Sequence, residues 1–294
     1  MHQYLRAVGF SKIKTNAEVK DLLMKVVTSS NSKGFVETDD DSVLIEYNAL
    51  FTESTGITVR GELNNDDSLS IDFYYPVCIG KNVSTEEEVD IERHAAYESF
   101  GGMCEDNRIG VSMIFFLQNG MDFMKESIKE GYENKSRPLY FSALSTQGTI
   151  MLPIRKNEKQ KARIKETVNT RNQLIEAAKH GDEGALENLT LDEIDTYASI
   201  SKKILKEDVF SLVDTYFMPY GIECDKYSIL GEIEEVKLEQ NSITQEEVYV
   251  LVVNCNGLSI TICINSMDLL GEPLEGRRFK GTIWLQGRLD YMSL

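Results

Sequence analysis

The last part of the chain alternates between apolar and polar side chains, and this pattern constrains the fold more than any other feature. From Arg278 to Leu289, apolar residues and glycines occupy every second position, beginning with Phe279. Successive residues of a β-strand face opposite sides, so one side of this segment is predicted to face a protein interior. Three further β-like segments lie between Tyr227 and Gly271. Together the four predict a small Greek-key β-barrel of the oligonucleotide/oligosaccharide-binding (OB) type over residues 221–294, with an SH3-like barrel as the alternative.

The polar side of the last segment is the first candidate for a binding site. It carries the only tryptophan of the chain, and its five candidate ligand-binding residues are Arg278, Lys280, Trp284, Gln286 and Arg288. An aromatic ring that stacks on a base, beside cations that hold phosphates, is typical of single-stranded nucleic-acid binding. The same side chains also suit packing against the rest of the protein, or binding of a protein or peptide.

A neighbouring segment favours packing over ligand binding. All six residues from Val248 to Val253 are apolar, as in strands that are covered on both faces. We therefore expect another part of the protein to cover some of the barrel's outer surface. The amphipathic segments between residues 173 and 217 are the nearest candidates.

The first 154 residues predict a separate α+β domain built on an antiparallel sheet. Apolar residues at three- and four-residue spacing predict a helix over 16–27, which Thr15 or Asn16 would cap. Turn sequences separate three strand-like segments that predict a meander, over 43–52, 56–63 and 69–75. The remaining expected elements are a surface helix within 84–103, a strand over 110–117, a helix over 120–131, and strands over 139–144 and 148–152.

Residues 155–220 are predicted to be a helical connector between the two domains. The segment 155–171 carries seven cations against two acids and has few apolar residues, which is typical of a linker or an exposed helix. Four helical segments follow, and we expect the last of them to run over residues 208–217.

Charge and composition limit the partners and the compartment. The net charge of −17 opposes binding to nucleic acid or to an anionic membrane. Apolar runs such as Met113 to Leu117 and Val248 to Val253 are far shorter than the roughly 20 residues of a membrane-spanning helix. Because the N-terminal sequence also lacks the pattern of a secretory signal, we expect a cytoplasmic protein. Its five cysteines contain no CxxC pair and are expected to be reduced thiols.

No sequence motif indicates catalysis. The chain contains neither a GxSxG nucleophile motif nor a glycine-rich phosphate loop. His94 and Glu98 stand four residues apart, as on one face of a helix, and Glu92 and Cys104 are close in sequence, so this helical face could offer ligands to a metal ion. A solvated helix face explains the same residues. We expect no catalytic residue, no metal and no cofactor.

Three stretches support a resemblance to a known family: "YLRAVGFSKI" near the start, "DTYFMPYGIECDKYSILGEI" from Asp214 to Ile233, and "GRRFKGTIWLQG" near the end. On the basis of these stretches, the chain resembles an uncharacterised bacterial family of unknown function. The resemblance spans the full length of the chain. The resemblance implies a bacterial cytoplasmic protein and no activity, cofactor or active-site residue.

The function expected from the sequence is that of a non-enzymatic binding or assembly module with a protein or peptide partner. A single-stranded nucleic-acid binder that uses the surface around Trp284 is the first alternative. A metal-dependent enzyme around Glu92, His94 and Glu98 is the second.

Overall fold

A computed structural model describes residues 2–37, 43–64, 68–93, 99–129, 136–154 and 213–291, together with residues 170, 173–175, 177–178, 181–182, 184–185 and 187–189. Strands dominate these residues. The elements in chain order are a 3-10 helix (Gln3–Val8), α1 (Asn16–Thr28), β1 (Ser32–Glu37), β2 (Val43–Leu50), β3 (Thr55–Leu63), β4 (Leu69–Cys78), β5 (Val89–Arg93), β6 (Phe100–Glu105), β7 (Ser112–Leu117), α2 (Gly120–Ser127), β8 (Leu139–Met151), β9 (Tyr216–Pro219), β10 (Lys226–Gln240), β11 (Glu247–Cys255), β12 (Leu258–Asn265), a second 3-10 helix (Ser266–Asp268), β13 (Leu269–Leu270) and β14 (Arg278–Leu289). Among the described helices, none has both the length and the apolar character needed to cross a membrane.

The N-terminal elements form an antiparallel sheet with one helix packed on it. Strands β1 to β4 pair in sequence order, which confirms the predicted meander and adds β1 to it. Helix α1 confirms the predicted helix. It begins with a capping box, in which Thr15 and Glu18 satisfy each other's backbone N–H groups, and it buries the four apolar residues Val19, Leu22, Leu23 and Val26.

A closed five-stranded barrel forms the rest of the core. Going around it, β10 pairs with β11, β11 with β12, β12 with β8, β8 with β14, and β14 again with β10. The β12–β8 pair is parallel and the other four are antiparallel. Strands β7, β6 and β5 extend this sheet beyond β14. The barrel thus takes one strand, β8, from the segment before residue 155, while the division into domains 1–154 and 221–294 stays a prediction.

Two apolar cores lie on opposite sides of the barrel wall. Inward residues such as Phe279, Ile283 and Leu285 fill the interior. Outward residues of the same wall, including Val248, Val250 and Trp284, belong to a second core formed with α1, the first 3-10 helix and strands β2 to β4. The expected cover of the barrel's outer surface is therefore present. In the described residues the N-terminal layer provides it, and most of the segment 173–217 lies outside them.

Buried polar contacts join the N-terminal sheet to the barrel. Glu239 of β10 accepts hydrogen bonds from the backbone N–H and the hydroxyl of Ser54, in the turn before β3, at 2.9 and 2.7 Å, and both side chains are buried. Cys78 of β4 and Cys263 of β12 form a disulfide across the same interface. This corrects the expectation that all cysteines are reduced, because the fold brings together two cysteines that lie 185 residues apart. Cys104, Cys224 and Cys255 are free.

The structure corrects three expected elements. Strands β5 and β6, which pair with each other and with β7, replace the described parts of the helix expected within 84–103. Gly102 of β6 lies so close to Phe115 of β7 that a Cβ atom there would be 2.1 Å from the ring. The two strands expected between 139 and 152 are one strand, β8, with an irregularity opposite Gly281 where a turn was expected. Tyr216 and Phe217 lie in strand β9, whereas the sequence predicted a helix. Most of the connector 155–220 lies outside the described residues.

Candidate functional site

The alternation in β14 places the candidate binding residues on the outer side of the barrel wall. Phe279, Ile283 and Leu285 belong to the interior core, as the pattern predicted. Trp284 belongs to the second core, between the barrel and the N-terminal layer. The two sides of β14 predicted from the alternation are therefore present, and the solvent exposure of the outer side decides what that side can bind.

The chain's own aromatic residues surround the indole ring of Trp284. The Tyr4 ring stacks on it with centroids 5.3 Å apart and planes 18° apart. The rings of His2 and Phe116 lie 4.9 and 5.3 Å away. The indole Nε1 donates a hydrogen bond of 2.6 Å to Oδ2 of Asp225. Only 6% of the side chain is exposed. The position that a stacked base or sugar would occupy is thus filled by Tyr4 and His2.

Gln286 and Arg278 also have internal partners. Gln286 is fully buried, and its amide nitrogen donates to the Pro76 carbonyl at 2.9 Å while its amide oxygen accepts from Gln118 Nε2 at 2.8 Å. The guanidinium of Arg278 donates to the carbonyl oxygens of Leu152 and Val213, at 3.1 and 3.0 Å. Desolvation by burial lowers the pKa of Arg278, and Asp214 opposes that shift. These two side chains hold backbone segments together.

The two remaining candidates are partly exposed. Lys280 lies opposite Leu230 of β10 and Thr149 of β8. Arg288 lies opposite Tyr140, with its guanidinium carbon 4.7 Å from the centre of that ring. In this structure the five predicted residues therefore share one strand but do not form one open surface.

The first 3-10 helix is the element that covers Trp284. The His2 side chain accepts a hydrogen bond from the Tyr4 backbone, and Gly9 ends the helix in a left-handed conformation with φ of 88°. A Cβ atom on Gly9 would lie 2.9 Å from Asn241 Cβ, so this tight approach favours glycine. The helix has six residues, which is too short for hydrophobic periodicity to reveal its buried face.

Burial around Trp284 changes the ionisation of His2. Desolvation, the nearby N-terminal amine and Lys226 together lower the pKa of His2 from 6.5 to about 4. The imidazole is consequently neutral near pH 7. A neutral ring can accept the hydrogen bond from the Tyr4 backbone.

The hydrogen bond from Trp284 fixes the turn between β9 and β10. Asp225 lies in this turn, and its backbone oxygen also accepts a hydrogen bond of 2.9 Å from the Leu285 backbone. The Tyr220 backbone donates to the Lys226 carbonyl at 2.9 Å and closes the turn. Lys226 in turn forms an ion pair of 2.9 Å with Glu223. The turn is therefore held at its base by β14 and by contacts of its own.

The same turn presents apolar side chains to solvent, which the sequence analysis did not single out. Ile222 is 98% exposed, and Met218 and Tyr220 are each 52% exposed. We call residues 218–224 the hairpin tip. The available signal in the sequence was the run "MPYGIEC", in which large apolar residues flank a proline and a glycine that favour a turn. Because turns usually lie on the protein surface, large apolar residues in a turn are exposed to solvent and are candidates for contact with another molecule.

The metal site expected around Glu92, His94 and Glu98 lies only partly in the described residues. Glu92 is exposed in strand β5, so it does not have the helical spacing that the expectation required. His94 and Glu98 lie outside the described residues. Cys104 is buried in β6, and burial raises the pKa of its thiol to about 12. Within the described ranges, no group of three or more histidine, cysteine or acidic residues is arranged to hold a metal ion.

Comparison with known proteins places the chain in a family. A family model described as "Domain of unknown function, E. rectale Gene description (DUF3881)" matches residues 5–287. The chain belongs to the DUF3881 family. No curated protein and no solved structure matches it. The three stretches that carry the resemblance meet in space, because Tyr4, Asp225 and Trp284 each lie in one of them.

Proposed function

We propose that this DUF3881 protein is a non-enzymatic protein-binding module whose contact surface is the hairpin tip. The observation that carries the proposal is the exposure of Ile222, Tyr220 and Met218 in a turn that Trp284 holds at its base. A few large apolar and aromatic residues commonly supply most of the affinity in protein interfaces. A turn fixed in advance loses little conformational entropy on binding.

The chemistry of the tip defines the kind of partner. Three large apolar side chains suit an apolar pocket or groove on another protein. Glu223 lies within the tip with 54% of its side chain exposed, and the whole chain carries a net charge of −17. The complementary surface is therefore an apolar pocket bordered by lysine or arginine residues.

In this proposal the barrel serves as a rigid support of the OB type. The antiparallel meander β10 to β12 is closed by two further strands: β8 pairs in parallel with β12 and antiparallel with β14, and β14 pairs antiparallel with β10. This arrangement supports an OB-like barrel in which the strand that pairs in parallel, β8, comes first in the chain. The Trp284 surface then has a structural role. We further propose that the protein acts in the cytoplasm of its bacterial host, where the fully buried Cys78–Cys263 disulfide would be an exception to the reduced state of most cytoplasmic thiols.

Site-directed photo-crosslinking in the native host tests this function. A photoreactive residue in place of Ile222 is expected to give a discrete adduct with one partner. One in place of Met267, which is 63% exposed in the second 3-10 helix, is expected to give none. The purified partner should then bind the unmodified chain directly. Ile222→Ser should weaken that binding by about tenfold or more, as expected for a central contact residue.

Several outcomes would contradict the proposal. Adducts of the same partners from both positions would show that the tip has no special role. An adduct with the mass of two copies would replace the proposal with self-association. Direct binding that Ile222→Ser leaves unchanged, with an unchanged melting temperature, would place the contact surface elsewhere.

A further inference from the structure

Arg137 is a buried cation without a partner in the described residues. It lies just before β8, and only 9% of it is exposed. Its Nε atom is buried and has no hydrogen-bond partner, and no ion pair or hydrogen bond joins Arg137 to any residue within the described ranges. The one specific contact described for Arg137 is a cation–π contact with Tyr291, whose ring centre lies 5.0 Å from the guanidinium carbon.

Other arginines of the chain show how unusual this environment is. Four of them pair with a carboxylate, and the pairs are Arg6 with Asp268, Arg60 with Glu46, Arg108 with Asp106 and Arg277 with Glu272. The chain has 48 acidic residues against 31 basic ones, so carboxylates are abundant. Within the described ranges, by contrast, no carboxylate pairs with Arg137.

A buried guanidinium N–H group without a hydrogen-bond partner is unfavourable, and a bound anion would supply that partner. A buried polar group without a partner calls for an ion or a water molecule beside it. The Tyr291 ring covers the guanidinium by a cation–π contact and does not compete for the N–H donors in its plane. Those donors form a planar fork that matches the paired oxygens of a carboxylate or a phosphate.

Backbone contacts hold this position in place. The Asp290 backbone donates to the Pro138 carbonyl at 3.0 Å, which ties the residue after Arg137 to the end of β14. Ser136, on the other side, donates a hydrogen bond to the Glu86 carbonyl. The guanidinium is thus carried by a short segment that is anchored on both sides, as a preformed binding site requires.

Arg288 is the useful comparison on the same strand pair. Its Nε atom is also buried without a hydrogen-bond partner, and its guanidinium lies over Tyr140. Arg288 as a whole is only partly buried, however, so it has better access to water than Arg137. Of the two, Arg137 therefore has the greater need for a bound anion.

We propose that Arg137, with Tyr291 over one face of its guanidinium, is a binding site for a small oxyanion. The ligand group is a carboxylate or a phosphate, held by two parallel N–H donors. This site uses none of the residues of the hairpin tip, so the proposal is independent of the proposed protein-binding function.

Thermal unfolding of the full chain at constant ionic strength tests the site. Replacing chloride by phosphate or by acetate should raise the Tm of the unmodified chain by about 2–4 °C near ten times the Kd of the preferred anion. Phosphate alone, or acetate alone, would identify the preferred oxyanion. Arg137→Met should melt higher than the unmodified chain in chloride, because it removes a buried unpaired charge, and it should show no anion-specific shift.

A matched control separates this site from general salt effects. Arg277→Gln removes a guanidinium that is already paired with Glu272, and it should keep the full anion response. If the unmodified chain and Arg137→Met respond equally, the stabilisation is a general effect of the salt and the proposal is wrong. If Arg137→Met does not fold, titration of phosphate or acetate into Arg137→Lys by calorimetry replaces it. Undiminished affinity there, or no detectable binding to the unmodified chain, would overturn the site.

Discussion

Trp284 and Asp225 are joined by a hydrogen bond of 2.6 Å from the indole Nε1 to the carboxylate. Asp225 belongs to the turn that carries the hairpin tip, and the opposite neighbour of the indole ring is Tyr4 from the N-terminal helix. One side chain thus connects the barrel, the N-terminal layer and the exposed turn. This makes Trp284 a positioning residue for the hairpin tip.

Removal of the Tyr4 ring should destabilise the protein. Tyr4 is 95% buried and stacks on Trp284, so we expect Tyr4→Ala to lower the free energy of unfolding by about 3 kcal/mol. Tyr4→Phe keeps the ring and should cost less than about 1 kcal/mol. Urea unfolding of the two variants measures the difference. Equal losses in both would mean that the hydroxyl, and not the ring stack, stabilises this contact.

His2 should make stability depend on pH between about 6.5 and 4. Burial lowers the pKa of His2 from 6.5 to about 4 in the folded chain, so the unfolded chain binds the proton more tightly. The stability that this histidine contributes is present above pH 6.5 and is lost as the pH falls towards 4. His2→Gln should lack this component. From pH 7.5 to 4.5 the unmodified chain should lose about 2 kcal/mol more than the variant.

Unfolding free energies measured by urea titration at those two pH values test this expectation. The variant serves as the control for every carboxylate that also titrates in this range. Parallel pH profiles for the two proteins would show that His2 is solvated, which would contradict the described packing around Trp284.

The disulfide predicts a definite number of reactive thiols. The chain has five cysteines, and Cys78 and Cys263 are bonded, so three thiols should react when the protein is denatured without a reductant. Five should react after reduction. In the native protein only the exposed Cys224 should react quickly, because Cys104 and Cys255 are buried and burial raises the pKa of each to about 12. A count of five reactive thiols before reduction would contradict the disulfide and support the expectation from the sequence that all five cysteines are reduced.

Short single-stranded oligonucleotides should not bind at low salt. Three of the five candidate residues on β14 are buried and engaged in internal contacts, and the net charge of −17 repels phosphates. Fluorescence anisotropy of a labelled oligonucleotide, with up to micromolar protein, measures this directly. Salt-dependent binding that Lys280→Glu abolishes would support the nucleic-acid alternative instead.

Patterns confined to one element were predictable from the sequence. The spacing of Val19, Leu22, Leu23 and Val26 predicted α1, and the alternation in β14 predicted which of its residues face the barrel interior. Helix and strand periodicity reveal a buried face within one segment, and these segments are long enough for it to appear.

Contacts between distant segments were not predictable in the same way. The pairing of Cys78 with Cys263, the place of β8 in the barrel and the cover of Trp284 by Tyr4 each join residues more than 110 positions apart. Local patterns specify that Trp284 has a neighbour but not which segment provides it. The same limit applies to the hairpin tip, whose importance depends on the exposure of three residues in a turn.

Fluorescence of Trp284 tests the central claim, that the chain's own N-terminal layer fills the surface around this residue. The chain has a single tryptophan, so the signal reports on one site. The account predicts a blue-shifted emission that iodide does not quench and acrylamide quenches slowly, with both properties lost in urea. A red-shifted emission that both quenchers reach readily in the folded protein would contradict the account and reopen the β14 surface as a binding site.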